Sequence, residues 1–249
     1  MAADVVISAR DVGIEFLRAF KKRMSLREMV FNRRSSSPTE TFWPLRHVDF
    51  DITRGEAVGL IGGNGEGKST ILKLIAGVLL PDEGRVTVRG GVAPMIELTG
   101  GFIGELSARE NVYLTGGLRG LTRAEIDDRF DEIVDFAGPQ VRAGLDTPFR
   151  HFSSGMKVRL GFAVITTLDE PIILVDEVLA VGDKAFREKC YLRMEELLAA
   201  NRTLFFVSHS ESDLRRFCTR GLYIRSGSLA ADGPLEDVLD QYNNDIHMP

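Results

Sequence analysis

Three short strings in this chain have the residue types and spacing for phosphate chemistry. The first is Gly62-Gly63-Asn64-Gly65-Glu66-Gly67-Lys68-Ser69-Thr70, which fits G-x-x-x-x-G-K-[ST]. Glycines let consecutive backbone N–H groups curl around a phosphate, and a helix opening at the end of such a loop presents a dipole that favours an anion. Lys68 then neutralises the β- and γ-phosphates, and the Ser69 hydroxyl is a ligand for Mg²⁺. The second string, Ile172-Ile173-Leu174-Val175-Asp176-Glu177, is an apolar run with two carboxylates at its end. In open α/β sheets ligands bind at the carboxyl ends of strands. There Asp176 would hold Mg²⁺ through water, and Glu177 would polarise an attacking water as general base. A hydrophobic run ending in two acids is weak by itself and gains its meaning from the phosphate loop upstream. The third string, Phe152-Ser153-Ser154-Gly155-Met156-Lys157-Val158-Arg159-Leu160, reads alone as an N-capped helix, and its place just before the acidic strand makes it informative.

The elements that must position these strings follow from periodicity. The run AVGLIG at 57–62 is a short buried strand entering the loop, and 69–79 reads as the helix leaving it, with Ile71, Leu72, Ile75 and Leu79 on one face. Residues 4–16 read as one or two strands, Val48, Phe50 and Ile52 alternate as a half-buried antiparallel strand, and 85–96 give two more. From about 105 to 168 the pattern turns helical. Thr122 and Glu125 fit a capping box, Ile126, Phe130, Ile133, Val134 and Ala137 repeat at helical spacing, and Arg109 and Glu110 precede a helix expected at Asn111. The α/β alternation resumes with the acidic strand, a helix over 184–200, the strand TLFFVSH, short strands around 222–232 and a helix near 234–243. The expected chain is one domain over 1–249, with a basic insertion at 17–41 and a helical subdomain at 100–165.

Composition bounds the function. The 249 residues are 44% hydrophobic and 27% charged, a globular balance, with no apolar run of spanning length and no secretory leader in MAADVVISAR. Two cysteines, Cys190 and Cys218, read as buried small hydrophobes of a reducing compartment. A net charge of −5 argues against general nucleic-acid binding. Against that, residues 17–34 carry seven basic groups and one acid. With Leu17, Phe20 and Met24 on one face, this segment is expected as a basic amphipathic helix at an anionic membrane surface, with a solvated loop of scattered charge as the alternative. His47, His151 and His247 lack metal spacing and read as structural or surface groups. Glu66 puts a carboxylate inside the phosphate loop. Like charges about 5 Å apart repel by a few kcal/mol at an effective dielectric near 20, so Glu66 is expected to turn away from the phosphates.

The order of phosphate loop, SSGM segment, VDE strand and Ser208-His209 resembles the nucleotide-binding subunits of ATP-binding-cassette transporters over nearly the whole chain. The resemblance implies an α/β P-loop ATPase core, a mixed sheet with flanking helices plus a small antiparallel β-subdomain, with an inserted helical subdomain. It implies a homodimer that encloses ATP and Mg²⁺. Ser153, Ser154, Gly155 and Met156 would be the signature segment gripping the γ-phosphate of ATP held by the other copy. His209 would be the switch histidine at the γ-phosphate, Asp183 the acid of the loop between the two sites, and Glu97, where a glutamine is usual, a group reaching Mg²⁺ and the attacking water. Phe16 is the expected aromatic on adenine, with Trp43 as its rival. SSGM, the string Val175–Asp183 and Glu97-Leu98 with Gly101-Phe102 resemble the polysaccharide-exporter branch, which moves lipid-linked O-antigen, teichoic acid, capsule or galactan. That branch implies a separate transmembrane permease in two copies and a place on the cytoplasmic face of the plasma membrane. Some members add a C-terminal carbohydrate-binding domain; the end at residue 249 leads us to expect none here, and a simple uncapped polymer such as a galactan as cargo. The competing expectation is an ATPase of the same fold serving another transporter class or no membrane partner.

Overall fold

The computed structural model describes residues 4–19, 39–96, 98–167, 170–176 and 183–247. Two sheets form the frame. The smaller is antiparallel, in the order β2 (Thr39–Thr53), β1 (Val5–Ala19), β4 (Glu83–Val88). The larger has six strands in the order β5 (Val92–Met95), β6 (Ile172–Asp176), β7 (Thr203–Val207), β3 (Ala57–Ile61), β8 (Arg220–Arg225), β9 (Ser228–Pro234). Its neighbours run parallel except β8 and β9.

The inner strands read as unbroken apolar runs because both faces are covered. Val58, Leu60, Leu174, Phe205, Val207 and Leu222 face one core, shared with β1, β2 and helix α1 (Lys68–Ile75). Their alternates Ala57, Ile173, Val175, Leu204, Phe206 and Tyr223 face the other. That second core is closed by α5 (Ser154–Thr167), α6 (Lys184–Ala199), α7 (Glu211–Phe217) and α8 (Leu235–His247). A third core fills a helical lobe made by α2 (Ala108–Leu118), α3 (Arg123–Ala137), α4 (Pro139–Ala143) and the outer face of α5. Helix α5 thus belongs to both lobe and core. Its Gly161 permits this, since a Cβ there would sit 2.2 Å from the Leu98 carbonyl oxygen.

Several expected boundaries move for local reasons. Helix α1 ends at Ile75, short of Leu79, because Gly77 takes φ 71° and its N–H donates to Leu74 O while Val78 N–H donates to Lys73 O, a Schellman stop. Helix α2 begins at Ala108 rather than Asn111: Ser107 and Glu110 form a capping box, as do Thr122 and Glu125 on α3. Asn111 is fully buried in α2, where its amide bonds Ile103, Leu106 and Ser107 and pins the preceding loop. The basic segment does not start as a helix. Leu17, Arg18 and Ala19 continue β1, paired with Thr41, Glu40 and Thr39 of β2. Extended pairing puts alternate residues on opposite faces and removes the helical stripe expected from Leu17. Residues 20–34, including Phe20 and Met24, lie outside the described residues.

Candidate functional site

Strand β3 is wholly buried and delivers the chain to the carboxyl edge of the large sheet. There the glycine-rich loop turns in conformations that side chains resist. Gly65 (φ 82°) and Gly67 (φ 94°) are left-handed, and Gly67 is the N-cap of α1. A Cβ on Gly67 would stand 2.6 Å from Leu45 Cδ2 and 2.8 Å from Pro44 O, so the small sheet presses directly on the loop. Lys68 is only 7% exposed, and its ammonium donates to the carbonyl oxygens of Gly62 and Gly63, 2.7 Å each, drawing the loop closed. A cleft of about 330 Å³ opens above it, floored by Asn64, Gly65 and residues 67–70 and walled by Phe16, Phe42, Pro44 and His209.

The acidic strand and His209 converge on the same edge. Asp176 ends β6 level with Val207 of β7, and His209 follows Val207 by two residues. Glu177 and Glu97 lie outside the described residues. The 153–156 segment does not line the cleft of its own chain. Ser153 and Ser154 are exposed at the start of α5, where Ser153 Oγ accepts from Met156 N–H, and Met156 packs on the helical lobe. Asp183 caps α6 by accepting from Phe186 N–H (2.9 Å) and pairs with Arg159 of α5 (2.6 Å). The Phe186 N–H and then the Arg159 guanidinium hold its carboxyl below the usual range.

The profile of the ABC transporter family matches residues 45–180. The O-antigen export system ATP-binding protein RfbB of Klebsiella pneumoniae is 44% identical over 198 residues, 80% of each chain. The ABC transporter protein AbcA of Aeromonas salmonicida is 39% identical over 84% of this chain and 67% of its own. The teichoic acids export ATP-binding protein TagH of Bacillus anthracis is 38% identical over 84% of this chain and 37% of its own. This chain belongs to the ABC transporter family. The ATP-binding cassette fold is shared with a solved ATP-binding subunit of an ABC transporter (TM-score 0.74, 23% identity, 96% and 93% of the two chains). It is shared equally with a dimeric cassette bound to ADP and Pi (TM-score 0.72, 22% identity, 92% and 98%).

Within this cassette, Phe16 faces the cleft and Trp43 does not. The Trp43 ring lies under the Arg46 guanidinium, 4.5 Å from its centroid, on the side of Gly13. Glu66 is absent from the cleft lining; its side chain lies over Gly63. Sequence reasoning missed Phe42 and Pro44, which line the cleft from β2, and whose placement depends on a strand irregularity. It also missed an apolar groove between the large sheet and the helical lobe, lined in part by Val78, Ile96, Leu98, Phe102 and Ile165, with Lys73 and Arg119 as its cations. Val78, Leu80 and Leu118 stand exposed.

Proposed function

We propose that this cassette binds Mg-ATP between two copies of itself and hydrolyses it to drive export of a lipid-linked polysaccharide through a separate transmembrane permease. The observation that carries the reading is the single cleft that unites the phosphate loop with Phe16 and His209. The names of the O-antigen and teichoic acid export relatives support the cargo class. The apolar groove and the exposed Val78, Leu80 and Leu118 support a protein partner docked on this chain. Among the described residues no helix is long and apolar enough to cross a membrane. In this reading the conduit is the separate permease, in two copies, with the cassettes on its cytoplasmic face.

In this reading Phe16 meets the adenine, the loop N–H groups and Lys68 neutralise the phosphates, and His209 contacts the γ-phosphate. Glu177 polarises the attacking water. Ser153, Ser154, Gly155 and Met156 complete the site from the other copy, which explains why they face away from the cleft of their own chain. Asp183 links the two sites. The donors suit Mg²⁺, which takes hard oxygen ligands, usually one or two from protein with the rest from water and phosphate. The Ser69 hydroxyl and the Asp176 carboxylate are such donors, with Glu97 as the third oxygen group. Bound there, the ion would offset charge developing on the phosphates.

Glu177→Gln tests the chemistry. The variant is expected to bind ATP yet turn over at least about a hundredfold slower, the usual worth of a general base; wild-type turnover would remove Glu177 from that role. Extraction in mild detergent tests the transport reading: a polytopic membrane protein carrying a diphosphate-linked glycan should accompany the cassette, and recovery with soluble partners alone would sink it.

A further inference from the structure

In the β1–β2 ladder Ile14 pairs with Leu45 and Phe16 pairs with Phe42. Two steps along β1 therefore match three along β2, so β2 carries one extra residue at this point. Such a bulge bends the strand and re-aims the side chains beyond it. Its effect can be read from parity. Ile14 and Leu45 both face the core. Phe16, two residues from Ile14, keeps the face of Ile14. Phe42, three residues from Leu45, would face the opposite way in a regular pleat. The extra residue restores it to the side of Phe16, its direct partner, and Trp43 is left over Gly13 under Arg46. Directly paired residues hold their Cβ atoms about 5 Å apart on one face. Both rings are partly open, Phe16 at 41% and Phe42 at 40%, and both line the cleft above the phosphate loop.

We infer that Phe42 is a second base-contacting residue, and that the nucleotide's base rests on a two-ring platform formed by Phe16 and Phe42 across the β1–β2 ladder. The inference rests on the proposed nucleotide site and adds a specific residue to it. An apolar ring held partly in water beside a bound base gains contact area when the base covers it, and stacking on aromatic faces does not require hydrogen-bond readout.

The test uses the full-length protein with two probes, Mg-ATP and inorganic Mg-tripolyphosphate, which has the phosphates without the base. Phe42→Leu keeps apolar bulk on the strand and removes the ring, while Phe42→Tyr keeps the ring. Phe42→Leu should weaken ATP about tenfold and leave tripolyphosphate within about twofold, and Phe42→Tyr should restore ATP to near wild type. Unchanged ATP affinity in Phe42→Leu, with Phe16→Leu still impaired, would overturn the platform and leave the nucleotide site standing. An equal loss for both probes would mean that Phe42 supports the loop instead of the base, and would also overturn it. Wild-type protein that binds tripolyphosphate and ATP equally well would remove base contact by either ring, and wild-type protein that binds neither would overturn the nucleotide reading with it.

Discussion

Asp183 caps α6 and pairs with Arg159 through the same carboxylate, and the two roles can be separated. Asparagine is as good an N-cap as aspartate but carries no charge, whereas alanine can do neither. Asp183→Ala should lower the thermal midpoint by about 2–4 °C, and Asp183→Asn should stay close to wild type. If Asn falls as far as Ala, the ion pair and not the cap holds the start of α6. Burial pushes the thiols of Cys190 and Cys218 up to about 12, so both remain protonated at neutral pH. Alkylation of native protein at pH 8 should run at least about a thousandfold slower than in urea, since the thiolate is the reactive form. Single residues were legible where backbone geometry restricts the choice: Gly65 and Gly67 need left-handed φ, and Lys68 must follow them. Phe42 was not legible, because its facing depends on one inserted residue in β2 that alternation alone places on the wrong side.

Elements were read well where pattern and cap agree. Thr122 and Glu125 announce α3, and the buried β6 and β7 are visible as apolar runs. Boundaries were misjudged where a short-range bond overrides periodicity, as at Ser107 before α2 and Gly77 after α1. The apolar spacing from Leu17 fits a helix, yet the first residues of the segment extend a strand whose partner begins beyond the basic stretch, a non-local pairing that spacing within the segment cannot reveal. Helix α5 offers a sharp test of packing between elements. A Cβ at Gly161 would meet the Leu98 carbonyl oxygen at 2.2 Å and its carbon at 2.8 Å, both backbone atoms that cannot swing aside. Gly161→Ala should therefore lower stability by about 1–3 kcal/mol, seen as a lower urea midpoint with an unchanged slope. A variant as stable as wild type would mean that the loop at Leu98 yields readily.

At the scale of the molecule, the small sheet and the large one are tied by Arg220. Its guanidinium donates to Asp51 O of β2, to Glu56 ahead of β3 and to Asp232 of β9. Burial pushes the Glu56 carboxyl up, but Arg220 and the Thr53 N–H outweigh it and hold the group below its usual value. A carboxylate lowered by folding adds stability above its unfolded pKa, and that stability is lost as pH falls through the folded value. Glu56→Gln should thus cost roughly 1 kcal/mol at pH 7, discounted for solvent screening, and the gap to wild type should close below about pH 4. A gap that persists undiminished at pH 3 would show that Gln disturbs packing and not charge.

The pairing of Ala19 with Thr39 has a consequence for how such a protein can diversify. Where a chain leaves a sheet and returns to it on one rung, the cost of closing the connection grows slowly with length, about 0.6 kcal/mol for each doubling, so a change of length there is cheap. The end of the β1–β2 ladder is therefore a splice port a few residues from the two phenylalanines of the cleft. Sequences of different length and charge can be exchanged there, and the engine beneath keeps its register.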